Sequence, residues 1–117
     1  MANIRRIQVG PRLSQAVVHG DTVYLAGQVA QTNSGKSVTE QTNEILARID
    51  GLLAEAGTDK TKLLSANIYI VDLATFADMN AVWDAWLPAG QAPARTTIQA
   101  NLAAPGYAVE IGVVAAI

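Results

Sequence analysis

Arg95 and Glu110 are residues whose types together could act on a small acid. A guanidinium held on a rigid strand binds a carboxylate at two points, and a nearby carboxylate can orient or deprotonate a water. Both roles depend on where the backbone puts the side chains. Alternation over residues 108–115 assigns Val109, Ile111, Val113 and Ala115 to a face covered by helices, and Glu110, Gly112 and Val114 to the opposite one. In residues 95–100, Thr96, Ile98 and Ala100 are expected on the covered face, which leaves Arg95, Thr97 and Gln99 beside Glu110. The uncovered face also carries Tyr24, Ala26, Asn67 and Tyr69, too apolar for an ideal solvent surface and too polar for a monomer core. It reads as an interface with functional residues embedded in it.

Each of these residues also has a plainer reading. Arg95 and Glu110 could pair as a structural ion pair, and on patterning alone that is the commoner outcome, because ion-pair networks often mimic sites. Asn80, beside an apolar stripe, could be a buried amide that anchors a loop, and Tyr24 and Tyr69 could simply pack an interface. His19, next to a turn, has no carboxylate partner in view and receives no catalytic role. Ser14 lacks a Gly-x-Ser-x-Gly elbow and a histidine partner. Gly10-Pro11 and Gly106 lack the spacing and the following helix that backbone phosphate binding requires.

The elements that must position these groups follow from periodicity. Residues 4–8, 15–19 and 22–27 read as strands, the last two joined through His19-Gly20-Asp21 as a hairpin. Ile45, Ile49, Leu52, Leu53 and Ala56 fill one helical stripe; Ser37 with Glu40 forms a capping box, and Gly57 suits the helix end. A strand over residues 62–71 places Leu64, Ala66, Ile68 and Ile70 on one face and Ser65, Asn67 and Tyr69 on the other. Thr75 is the expected cap of a second helix with Phe76, Met79, Trp83 and Trp86 buried, ending before Pro88. Strands over 95–100 and 108–115 complete the order β-β-β-α-β-α-β-β. The expectation is an α+β fold, a mixed six-stranded sheet with two helices on one face.

Composition narrows the function classes. The 117 residues suit one domain spanning 1–117, and with 50% hydrophobic and 15% charged residues the chain should fold. So little charge over so much apolar surface favours self-association. A net charge of −2 with eight scattered Lys and Arg residues gives no electrostatic footprint for nucleic acid. Without cysteine there are no disulfides, thiolate ligands or cysteine nucleophile, and one histidine cannot build a multi-histidine metal site. No apolar run follows Arg5-Arg6 or approaches membrane-spanning length, so a soluble, cytoplasmic protein is expected.

These residues, taken together, resemble the RidA, or YjgF-like, family over nearly the whole chain. Residues 19–28 (HGDTVYLAGQ) are similar to the family's hairpin ending in Gly-Gln, and residues 72–80 (DLATFADMN) to its strand-to-helix passage. Most specific is the tail, residues 92–100 (APARTTIQA) followed by 107–111 (YAVEI). The resemblance implies a chorismate-mutase-like fold and a homotrimer with three clefts between neighbouring subunits. It also implies hydrolysis of reactive 2-imino acids, of the 2-iminobutanoate and 2-iminopropanoate class, to 2-oxo acids and ammonia without a metal or organic cofactor. Arg95 would hold the substrate carboxylate and Glu110 would position water, with Asn80, Gly27, Ala26 and Thr97 lining the pocket. The chain departs from the family pattern at three places: GPRLS over residues 10–14 has no aromatic where a tyrosine is usual, Ala26 replaces a small polar residue, and Thr97 stands where cysteine is common. A non-catalytic binding protein for small 2-oxo acids is the alternative, and the acidic balance argues against a ribonuclease.

Overall fold

Residues 3–117 are described by the computed structural model. Strands β1 (Ile4–Val9), β2 (Ser14–His19) and β3 (Thr22–Leu25) form an antiparallel meander, and the His19–Thr22 pair closes the second hairpin across Gly20-Asp21. Helix α1 (Val38–Ala56) begins where the Ser37 hydroxyl accepts the Glu40 N–H at 3.1 Å. It ends at Gly57, whose φ of 89° is left-handed; its own N–H donates to the Ala54 carbonyl and the Thr58 N–H to the Leu53 carbonyl. Both caps stand where the sequence pattern puts them.

Strand β4 (Leu63–Ile70), helix α2 (Phe76–Trp86), β5 (Ala94–Gln99) and β6 (Val109–Ala116) complete the chain. The sheet order is β1-β2-β3-β6-β4-β5, so the last strand enters the middle and β5 lies at an edge. Among these pairings β4–β5 is parallel, the direction a helical crossover such as α2 permits. Both helices pack on one face of this mixed sheet, the α+β arrangement expected.

The core lies between that face and the helices. It is built from Ile45, Leu46, Ile49 and Leu53 of α1, Met79 and Trp83 of α2, and Ile68, Ile70, Ile111 and Val113 of the central strands. Each such side chain stabilises the fold by roughly 1.5–3 kcal/mol. Within α1, Gly51 is an interior glycine, which costs about 0.5–1 kcal/mol relative to alanine. Among the described residues no helix is long and apolar enough to cross a membrane.

Three expected burials are corrected. Leu64 is 50% exposed and Leu63 is buried instead, because the ladder to β6 shifts register between Leu63 and Ser65, and one extra residue turns a side chain to the other face. In α2, Met79 and Trp83 are buried, but Phe76 is 38% exposed and Trp86 is half-buried. Thr75 makes no side-chain cap; the Asp72 carboxylate accepts the Ala74 N–H at 2.9 Å and opens a short 3-10 turn, Leu73–Thr75, ahead of the helix.

Candidate functional site

The register of the edge strand decides the geometry of the site. Arg95 lies opposite Ala66, Thr97 opposite Ile68 and Gln99 opposite Ile70. Residues paired across a sheet share a face, and Ala66, Ile68 and Ile70 are buried under the helices. Arg95, Thr97 and Gln99 therefore lie on the helix-covered face, and Thr96 and Ile98 on the open one, the reverse of the expected assignment. The sequence of β5 has one large apolar residue, Ile98, and placing it inside set the whole strand's phase; in the fold it is 48% exposed.

Glu110 pairs with Tyr69 and lies on the open face, as expected. Two strand spacings and three residue steps separate it from Arg95, about 14 Å between Cα atoms, with the sheet between the side chains. One chain does not bring the two together. Within one chain the two form no ion pair; the salt bridge found among the described residues is Arg48–Glu44, at 2.9 Å.

Two separate clusters result. In the first, Arg95 Nη1 donates to Asn80 Oδ1 at 2.8 Å, and the guanidinium carbon stands 5.8 Å and 5.6 Å from the ring centroids of Phe76 and Trp83. The amide and two π-faces fix the fork while leaving it exposed. Asn80 thus anchors an arginine rather than a loop. Thr97, on the same face, has a buried hydroxyl with no hydrogen-bond partner.

In the second cluster, the half-buried Glu110 lies directly on the backbone of Gly27, where a Cβ would overlap Oε2. Gly27 is held there by Gln28, whose backbone N–H and carbonyl both bond Ile111, at 2.8 Å and 3.1 Å. The buried Gln28 amide donates to Gln15 Oε1 at 2.9 Å and to the carbonyl of the half-buried Ala26 at 3.0 Å. At the start of β6, the fully buried Gln41 donates to the carbonyls of Lys36 and Gly106 and accepts the Ala108 N–H at 2.9 Å. This fixes the turn that carries Tyr107 toward Glu110. Gln28 and Gln41 escaped the sequence reading; Gln41's place among the buried positions of α1 was the available signal, since a buried amide has to be bonded.

A groove of about 760 Å³ is lined in part by Ala26, Gly27, Tyr107 and Glu110. From the open face a smaller hollow of about 180 Å³, lined by Asn67 and Tyr69, also reaches it. Around that hollow the uncovered sheet presents Tyr24, 49% exposed, with Ile98 and Val114. His19 is exposed at the far end of β2.

The fold is an α+β sheet with one face free of helices and with an arginine and a glutamate set on its opposite sides. Residues 3–117 match the family model described as Endoribonuclease L-PSP. The chain is 44% identical to the RutC family protein YoaB of Escherichia coli over 97% of its own length and 98% of that protein's. It is 40% identical to a RutC family protein of Haemophilus ducreyi over 97% of both. A crystal structure of a YjgF-family member from Neisseria meningitidis superposes with a TM-score of 0.94 at 43% identity, covering 97% of this chain and 94% of that one. The chain belongs to this YjgF/RidA family.

Proposed function

We propose that this protein hydrolyses 2-imino acids to 2-oxo acids and ammonia in clefts formed between copies of the chain. The observation that carries the reading is the split: a fixed carboxylate-binding fork and a fixed carboxylate lie on opposite faces of one sheet, so a cleft holding both takes Arg95 from one copy and Glu110 from the next. Two different patches then meet, a heterologous contact that closes as a ring, here a homotrimer. The contact would cover Tyr24, Ile98 and Val114 and order the reactants between the two halves.

In that cleft Arg95, steadied by Asn80, grips the carboxylate of the imino acid and presents its iminium carbon to a water at Glu110. Glu110 takes a proton from the water as its oxygen bonds to the carbon. Protonated Glu110 returns that proton to the nitrogen of the resulting carbinolamine; the C–N bond then breaks as Glu110 takes the hydroxyl proton and passes it to the departing ammonia, leaving a 2-oxo acid. Gly27 keeps the carboxylate in line, and Ala26 and Thr97 shape the walls. The family description names an endoribonuclease; a net charge of −2 and a single arginine in the cluster suit a small anion better than a polyphosphate chain.

Generating 2-iminobutanoate with an amino-acid oxidase and following its loss with and without the protein tests this. The protein should accelerate hydrolysis, and Glu110→Gln should lower turnover roughly 100-fold while 2-oxobutanoate still binds. Equal rates with and without protein would contradict the enzyme and leave a binding protein for 2-oxo acids.

A further inference from the structure

One of the two rings that hold Arg95 belongs to a series of contacts running on to the other helix. Phe76, Asn80, Trp83 and Trp86 recur in α2 at steps of four, three and three, which lines them along one side of the helix over about 15 Å. The Arg95 guanidinium stands over Trp83, whose ring centroid is 5.5 Å from that of Trp86 at an interplanar angle of 43°, a tilted aromatic pair. Trp86 donates its indole N–H to Asp50 Oδ2 of α1 at 3.0 Å, and the Lys60 ammonium, from the turn Lys60–Lys62 before β4, lies 5.2 Å from its ring centroid. Contacts thus lead without a break from the exposed Asp50 to the arginine on β5. Nothing in the reaction proposed above uses Asp50, Lys60 or Trp86.

The end of α2 needs support from outside. An isolated helix of 11 residues is marginal in water, and Trp86 is the last residue of this one. Its last turn carries no basic side chain to offset the helix dipole. Beside that turn the helices do not close on each other: Ala47 of α1 and Ala81 and Ala85 of α2 help line a groove of about 610 Å³. With small side chains on both walls, the Trp86 ring takes its orientation from the bond to Asp50 and from Lys60 more than from close packing. Trp83, buried beneath, rests against that ring.

We infer that Asp50 is a positioning residue for the clamp: acting through Trp86 and Trp83, it fixes the aromatic wall on which the Arg95 guanidinium lies and so sets the affinity of the cleft for a carboxylate. The inference rests on the reading of Arg95 as the carboxylate-binding group. A guanidinium already oriented by its neighbours loses less freedom on binding than a loose one.

Asp50→Ala tests it at a position remote from the reacting atoms. KM for 2-iminobutanoate and the dissociation constant of 2-oxobutanoate should both rise about fivefold, with kcat within about twofold of the parent because Glu110 is untouched. Asp50→Asn, whose side-chain carbonyl can still accept the indole N–H, should recover most of the loss. Trp86→Phe keeps a ring and loses the N–H; it should match Asp50→Ala, and the double variant should be no worse than either. Proton NMR reads the clamp without a ligand. The Arg95 Cδ protons, shifted upfield by the Phe76 and Trp83 rings, should move toward the position of a free arginine in Asp50→Ala and stay in place in Asp50→Asn. An Arg95 resonance unmoved in both Asp50→Ala and Trp86→Phe would overturn the inference, whatever the melting temperature did. So would an unchanged affinity for 2-oxobutanoate in both, where the parent binds it. A resonance that moves as expected in a protein that binds no 2-oxobutanoate would support the brace and contradict the carboxylate reading.

Discussion

The cluster around Arg95 and the cluster around Glu110 are built in opposite ways. Arg95 stands on an edge strand, exposed, and is steadied from outside by one amide and two aromatic rings of α2. Glu110 stands on a central strand, half-buried, and is wedged against backbone that Gln28 and Gln41 tie down. The first cluster is fixed by side-chain contacts, the second by the position of a backbone. Substitutions should therefore damage the two halves differently.

The largest effect is expected at Arg95. Arg95→Lys keeps the charge but loses the planar two-point contact, and imine hydrolysis should fall roughly 100-fold or more. Because Arg95 is exposed and bonded to Asn80 alone, the melting transition should move little, by less than about 1 kcal/mol in stability. A fully active Arg95→Lys protein would remove the clamp from the account.

Gly27→Ala is the matching test of the other half. The added methyl displaces the Glu110 carboxylate, and turnover should drop about tenfold or more while 2-oxobutanoate binding at Arg95 survives. Parallel loss of binding and turnover would mean that Gly27 acts on the substrate directly rather than through Glu110.

The smallest effect concerns the Glu44–Arg48 pair of α1. Burial pushes the Glu44 carboxyl up, but the bonds from Thr32, Arg48 and Asn33 outweigh it and hold it below its ordinary 4.5, so its contribution to stability is present above that value and is lost as pH falls through the folded one. Glu44→Gln should lower stability by about 1–2 kcal/mol at pH 7, with the difference from the parent shrinking below pH 4.5. Urea titrations at fixed protein concentration measure it, and a difference constant with pH would contradict the ionic origin.

What the sequence made legible were the locally determined features. Ser37 and Gly57 bracket α1 by their own hydrogen bonds and backbone preferences, and the strict alternation of β6 placed Glu110 on the open face. β5 was misphased because an edge strand in a parallel pair takes its register from the crossover, and Ala94–Gln99 has no apolar period to reveal it. The bulge beside Leu64 is a property of the β4–β6 ladder, invisible in either strand alone. Gln28 and Gln41 look like ordinary polar residues until their partners, far away in the chain, are in place. The candidate residues themselves came from residue type and family resemblance; their division between two faces came from pairing.

The central claim is that Arg95 and Glu110 serve one site from different copies. Arg95→Ala and Glu110→Ala proteins, each inactive alone, can be unfolded together, refolded as a mixture and assayed for imine hydrolysis. In a ring with one site per interface, equal mixing gives about a quarter of the sites both native groups. The account predicts recovery of roughly a quarter of the parent activity in the mixture; a mixture as inactive as its two components would contradict it.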